Sequence, residues 1–193
     1  MSAFRRRAVL LRLPLRVAWF YFRARRLSYA REDKWSQDSV TRPESLAHLL
    51  RLARGRRRVV EIGTGTAWTT IALALDDSSR EVVSYDPIIR PERTWYLELG
   101  GLSARSRIEL RDEPGEAGPP PGAAPFDFVF IDGSHERERT MATWRAWKDA
   151  LAPGGVIAFH DWENPEYPGV TEAIRSLGLE GEVFREVFVW RRD

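Results

Sequence analysis

The segment Val59-Val60-Glu61-Ile62-Gly63-Thr64-Gly65-Thr66-Ala67 constrains the fold of this chain more than any other. Arg58 to Ile62 is short, β-branched and apolar, which reads as a buried strand. Two glycines then turn the chain, and Ala67 to Leu75 continues with helical composition. A strand that enters a helix through a glycine turn leaves a ligand crevice outside its carboxyl end. The same alternation runs onward. Strands are predicted at Glu81–Tyr85, Arg107–Leu110, Phe126–Ile131 and Val156–Phe159, with helices at Pro91–Leu99, Glu136–Leu151 and Val170–Leu177. Pro153-Gly154-Gly155 reads as the stop of the helix before it, Asp112–Pro125 as a Pro/Gly loop, and Glu182–Trp190 as strand-like. Strands of this length separated by helices imply a mostly parallel sheet with helices on both faces, an α/β sandwich.

Before the first strand lies a helix with Leu46, Leu49, Leu50 and Ala53 on its apolar face. Thr41 with Glu44 has the spacing of a capping box, and Pro43 suits a first turn. His48, alone in this helix, reads as structural or surface. Residues 1–31 form a separate basic arm, and 32–193 are expected to form the domain proper. The arm holds nine Arg and no acid, so the remainder carries 21 basic and 28 acidic residues, a net of −7. The basic character therefore belongs to the arm. This argues against a nucleic-acid substrate, whose enzymes carry basic surface on the folded part. Arg16, Arg23 and Arg26 recur at helical spacing, away from Val17, Phe20, Tyr21 and Leu27. Such a helix either lies on an anionic membrane surface or packs its apolar face on its own domain or on a second subunit. Arg12, Pro14 and Arg16 interrupt any signal-like apolar stretch, so a cytoplasmic location, with possible peripheral membrane contact, is expected. Absence of Cys excludes disulfides, thiolate zinc sites and a Cys nucleophile.

Two ligand classes use a glycine turn of this kind, dinucleotides and S-adenosylmethionine. A dinucleotide loop offers backbone N–H groups to an anionic pyrophosphate and follows G-x-G-x-x-G. Here the third small residue comes early, at Ala67, and Trp follows it. Glu61 at the mouth would repel a pyrophosphate but suits an ammonium and a sulfonium. Asp86 ends the second strand, where an acid accepts from ribose hydroxyls. Glu61, Gly63, Gly65 and Asp86 are thus the candidate cofactor residues.

The fourth strand runs into Asp132-Gly133-Ser134-His135 and the fifth into His160-Asp161. In a parallel sheet both open onto the same edge as the glycine loop. Two carboxylates and two imidazoles so placed read as a site. The carboxylates could hold a hard divalent cation such as Mg²⁺, which would lower the pKa of a substrate hydroxyl and orient it. His135 would then take the proton as general base, since imidazoles titrate near working pH.

At these residues, from about Thr41 to the C-terminus, the chain resembles the class I S-adenosylmethionine-dependent methyltransferases, with their Rossmann-like fold. The resemblance rests on Thr41-x-Pro-Glu44, Glu61-Ile-Gly-Thr-Gly65, Asp86, Phe126 to His135, Leu151-Ala-Pro-Gly-Gly155 and His160-Asp161. The Ile-Asp-Gly-x-His and His-Asp motifs are similar to a bacterial subgroup near the catechol-type and sugar O-methyltransferases. That likeness implies Asp132 as metal ligand and cofactor contact, and His135 as base. It also implies a second metal segment at His160-Asp161, where relatives are acidic at both positions. The C-terminal segment looks short for the family's closing antiparallel pair of strands. The expected activity is methylation of a small-molecule hydroxyl. An amine or carboxylate acceptor is the first alternative. A non-catalytic cofactor-binding domain docked to a membrane or partner is the second, and the arm could equally join two copies.

Overall fold

A computed structural model describes residues 12–193. A seven-stranded sheet runs in the order β3-β2-β1-β4-β5-β7-β6. Its strands are β1 (Arg58–Ile62), β2 (Glu81–Tyr85), β3 (Ile108–Arg111), β4 (Phe126–Ile131), β5 (Leu151–Phe159), β6 (Glu182–Phe184) and β7 (Val187–Arg191). The first five are parallel, and β7 pairs antiparallel with both β5 and β6. The helices are α1 (Leu15–Ala30), α2 (Lys34–Ser39), α3 (Pro43–Leu52), α4 (Trp68–Asp76), α5 (Arg93–Gly100), α6 (Leu102–Arg105), α7 (Arg137–Trp147) and α8 (Pro168–Ser176). The alternating strands and helices give the expected Rossmann-like α/β sandwich.

Each sheet face has its own core. Val59, Phe128, Phe130 and Ala158 face α1, α3 and α4 on one side. Val60, Ile62, Val129 and Ile157 face Trp147 and Ile174 on the other. The central strands are buried on both faces, which is why they read as continuous apolar runs.

Helix α1 is part of the first core. Val17, Phe20, Tyr21 and Ala24 are buried, each large one contributing roughly 1.5–3 kcal/mol. Tyr21 and Trp68 meet edge to face at 5.1 Å, and the Tyr21 hydroxyl donates to the Thr41 carbonyl. Of the alternatives for this helix, packing of its apolar face on its own domain is what the structure contains. Residues 1–11 of the arm lie outside the described residues. No helix among the described residues is long and apolar enough to cross a membrane.

Four local expectations are corrected. The capping box does not form: Arg42 is the N-cap without a side-chain bond, and the Thr41 hydroxyl instead meets the Thr69 hydroxyl at 2.9 Å. The helix expected over Glu136–Leu151 ends at Trp147, and a 3₁₀ turn over Lys148–Ala150 leads into β5. Pro153-Gly154-Gly155 therefore lies inside the strand, where pairing with β4 shifts register between Phe126 and Phe128. This is a bulge, a place that tolerates Pro and Gly. Lastly, the closing antiparallel pair is present: Arg185, at φ 54°, turns the chain between β6 and β7.

Candidate active site

Backbone hydrogen bonds continue the ladders just past the strand ends. Gly63 N donates to Tyr85 O at 2.8 Å, Asp132 N to Ile62 O at 2.8 Å and His160 N to Ile131 O at 3.0 Å. The glycine turn, Asp132 and His160 are thereby fixed side by side at one sheet edge. They line a cleft of about 1510 Å³, more than a single small ligand needs. The cleft has space for a cofactor and an acceptor together.

In the glycine half, both glycines answer first to the protein itself. Gly63 has φ 104° and a Cβ there would lie 2.0 Å from the Asp132 carbonyl oxygen. Gly65 has φ 52° and its Cβ would lie 2.5 Å from the Trp35 ring. Trp35, on α2, thus lies against the turn, with the Arg90 guanidinium 3.7 Å from its ring centroid. Ser36 and Thr66 hydroxyls join the same two elements at 2.7 Å. Asp86 accepts from Gly65 N and from Ile88 N, both at 2.8 Å. It therefore pins the turn and caps its own bend. Beneath it the buried Arg93 donates to Gly65 O at 3.0 Å and to Ile88 O at 2.9 Å. Glu61 is buried at the cleft wall, accepting from Thr70 and, at 2.8 Å, from Ser84. Burial pushes its carboxyl up to about 8 despite those hydroxyls.

The other half is a lattice of charges. His135 Nε2 is 3.0 Å from Asp161 Oδ2. His160 Nδ1 faces two carboxylates, Asp132 Oδ1 at 3.2 Å and Asp161 Oδ2 at 3.1 Å. The other Asp161 oxygen accepts from Asn164 at 2.7 Å. Asp161 is buried and has φ 60°, a conformation that Asp adopts more readily than most residues and that clusters at functional sites. Burial opposes its ionisation, yet the bonds from His135, His160 and Asn164 hold it far below the ordinary carboxylate range. Burial would likewise depress His160, but Asp132 and Asp161 outweigh it and push the imidazole up to about 11. All four groups expected here do converge. The pairing is the unexpected part: Asp161 contacts both imidazoles, while Asp132 contacts His160 alone.

Asp132, His135 and Asp161 each bring one ligand atom within 4.8 Å of the others. Mg²⁺ demands hard oxygen ligands in a near-ideal octahedron. Here one donor of the three is an imidazole nitrogen and both Asp161 oxygens already accept hydrogen bonds. His160 Nδ1 contacts both carboxylates, and Mg²⁺ completes its shell with waters around one or two carboxylates. Asp132 and Asp161, two of the expected metal ligands, belong to this cluster, and His160, the third, lies beside it.

Four further residues at the site carry no local sequence signal. Trp35 and Arg93 hold the glycine turn. Tyr167 stacks on His135 with ring centroids 3.9 Å apart and planes at 18°. Glu186, between β6 and β7, accepts from Ser45 at 2.6 Å and lies 3.8 Å from His160 Nε2.

A family model described as a methyltransferase domain matches residues 60–162. The chain belongs to this methyltransferase-domain family. The matched stretch opens in β1 and closes just beyond β5, so it contains both halves of the site. No protein of curated function matches the sequence. Solved structures show the same fold. The cofactor-bound protein Rv0187 from MTB has a TM-score of 0.64 at 21% identity, over 80% of this chain and 82% of that one. An O-methyltransferase from Bacillus cereus, in complex with S-adenosylhomocysteine, gives 0.63 at 20% identity over 80% and 82%. The Streptomyces achromogenes O-methyltransferase TomG, of tomaymycin synthesis and in complex with S-adenosylmethionine, gives 0.61 at 20% identity over 86% and 87%.

Proposed function

We propose that this methyltransferase-domain protein binds S-adenosylmethionine in the glycine half of the cleft and methylates a hydroxyl of a small molecule in the other half. The observation that carries the reading is the Asp161–His135 pair at the mouth of a cleft that begins at the glycine turn. A cofactor-binding module without activity has no use for an oriented imidazole.

The glycine half fits the cofactor chemically. Its side chains facing the cleft are acidic or neutral at Glu61, Thr64, Thr66 and Asp86. Asp86 supplies the negative charge and the hydroxyls and Glu61 supply hydrogen-bonding partners, which suits a ligand with an ammonium and a sulfonium. The buried Trp68 indole N–H, also at the cleft, has no partner, which leaves a donor for a ligand. Glu61, Gly63, Gly65, Asp86 and Asp132 are the assigned cofactor residues. The structural neighbours from Bacillus cereus and Streptomyces achromogenes, solved with this cofactor or its product, support the assignment.

When bound, S-adenosylmethionine supplies an electrophilic methyl group. The chain's own task is to present a hydroxyl and remove its proton. With Nε2–H donated to Asp161, His135 keeps Nδ1 as its free lone pair, and Nδ1 takes the proton. Asp161 fixes the tautomer and stabilises the imidazolium that results, as carboxylates do in hydrolase triads. Tyr167 holds the ring plane. His160 is not available as base, because Asp132 and Asp161 keep it protonated. A carboxylate acceptor would need no base, so the pair favours a hydroxyl.

Titration calorimetry with S-adenosylhomocysteine tests the cofactor, with NAD as the control that should not bind. A screen of phenols, sugars and hydroxylated natural products then supplies an acceptor. His135→Ala should lower kcat by roughly 10²–10⁴-fold, the usual size of a general-base contribution, and leave cofactor affinity unchanged. Full activity in that variant would remove the base assignment, and preferential NAD binding would remove the whole reading.

A further inference from the structure

Helix α1 is apolar on two opposite faces, and only one of them is packed. At 100° per residue, Val17, Phe20, Tyr21, Ala24 and Ser28 share the buried side. Leu15, Trp19, Phe22 and Tyr29 lie on the opposite side and are 89%, 61%, 44% and 56% exposed. None of the four belongs to either core of the described residues. Trp19 and Phe22 stack on each other at 5.8 Å, so the stripe carries an aromatic pair at its middle.

Cations border it on both sides. Arg16 and Arg23 run along one flank, Arg25 lies on the other, and Arg26 lies within the strip; all are exposed. The Arg26 guanidinium is 5.8 Å from the Phe22 ring centroid and that of Arg25 is 5.8 Å from the Tyr29 ring centroid. Arg12 lies just before the helix, and the stretch from residue 1 to 31 holds no acid to neutralise any of them. Four large apolar side chains exposed on one helix face are more than the single scattered ones of an ordinary soluble surface. Trp, Phe and Leu on a helix bordered by Arg are the parts of an interfacial helix: apolar rings enter the headgroup boundary while guanidinium groups meet lipid phosphates.

We infer that the outward face of α1 docks this protein on an anionic membrane surface. Charge decides between occupants. A second copy meeting this strip face to face would bring two arginine-bordered strips together, and like charges would oppose it. A nucleic acid would complement the arginines but would leave Leu15 and the Trp19–Phe22 pair without an apolar partner. An anionic bilayer satisfies both components. Docking uses no residue of the methyl-transfer site, so it stands apart from the proposed reaction.

The experiment is co-sedimentation of the full chain with vesicles of 70% phosphatidylcholine and 30% phosphatidylglycerol, against vesicles of phosphatidylcholine alone. The anionic vesicles should bind at least tenfold more protein, and less at 500 mM than at 100 mM salt. Two double variants separate the components, Trp19→Ser with Phe22→Ser and Arg16→Glu with Arg23→Glu. Each should lose at least tenfold in vesicle binding while keeping the wild-type Tm, since all four side chains are exposed. Equal binding to both vesicle types, or none, overturns the inference. So does a dimer, seen by light scattering, that the serine pair dissociates. Displacement from anionic vesicles by stoichiometric RNA, with equal loss of RNA binding in both double variants, would reassign the face to nucleic acid.

Discussion

The two halves of the cleft are built on different physics. The glycine half is held by shape: Gly63 is forced by a backbone carbonyl, Gly65 by an indole, and Asp86 and Arg93 pin the turn from below. The half at the ends of β4 and β5 is held by charge, with two carboxylates and two imidazoles fixing one another within 3.2 Å. Shape tolerates pH but not a methyl group. A charge lattice tolerates small changes in volume but not the loss of a proton or a partner. The division suits a reaction in which one half must bind a fixed ligand and the other must move a proton.

The largest effect should come from adding one carbon in the shape half. Gly63→Ala places a Cβ 2.0 Å from the Asp132 carbonyl oxygen, and that oxygen belongs to backbone that cannot rotate away. The cost should exceed about 4 kcal/mol, so the variant should be unfolded, or melt far below wild type, in circular dichroism. A folded Gly63→Ala with native Tm would show that the loop after β4 yields, and that shape does not govern this half.

In the charge half the largest effect should follow removal of one negative charge. Asp161→Asn keeps the volume and can still accept from His135, but it no longer stabilises the imidazolium. We expect kcat to fall by roughly 10²–10⁴-fold, with S-adenosylhomocysteine affinity unchanged by calorimetry. Asp132→Asn, which bonds His160 and not His135, should lower kcat less. The reverse ranking would make Asp132 the partner of the base.

Between these lies the contact of Trp35 with Gly65. Gly65→Ala should weaken cofactor binding about tenfold, partly from the clash and partly from a left-handed φ that costs an L-residue roughly 1–2 kcal/mol. In the background of Trp35→Ala the clash is gone and only the φ cost remains. A double-mutant cycle by calorimetry should therefore show coupling of at least about 0.5 kcal/mol. Strict additivity would mean that the indole is incidental to the turn.

Much of this division is legible in the residues themselves. The alternation of β-branched strands and helices fixes a parallel sheet, and a parallel sheet fixes one edge as the site. Asp132, His135, His160 and Asp161 could therefore be brought together without knowing a single distance. Their pairing could not, because which oxygen meets which imidazole depends on a left-handed φ at Asp161 that no motif records. Trp35, Arg93 and Tyr167 were silent for a related reason: each acts across 28 residues or more, and local periodicity holds no memory of such contacts. Thr41 shows tertiary structure overriding local preference, its hydroxyl going to Thr69 in place of the cap. Pro153-Gly154-Gly155 shows one composition serving two uses, since a helix stop and a strand bulge favour the same residues. The reason for the glycines was also only half legible. Close approach is real at Gly63 and Gly65, but the approaching groups are first a carbonyl and an indole of the chain itself.

The smallest expected effect concerns stability and pH, and it sharpens the contrast directly. His160 is raised from an ordinary imidazole value to about 11 by Asp132 and Asp161. Below about pH 6.5 the imidazole is protonated in both folded and unfolded chains, and the pairing contributes its full stabilisation. As pH rises from there toward 11, the folded chain retains a proton that the unfolded chain has lost. Unfolding is then favoured progressively, and the contribution is gone once the folded imidazole itself deprotonates. His160→Gln keeps an N–H donor and loses the charge, so it should lack this slope. Wild-type Tm minus variant Tm should therefore be greatest near pH 6 and shrink by at least about 4 °C by pH 10. Differences between the two proteins matter here, because Glu61 and other groups titrate in both and cancel. A Tm difference that stays constant over this range would mean that His160 carries no extra proton in the folded chain. The second half of the cleft would then be held by hydrogen bonds between neutral shapes, much as the first half is held by packing.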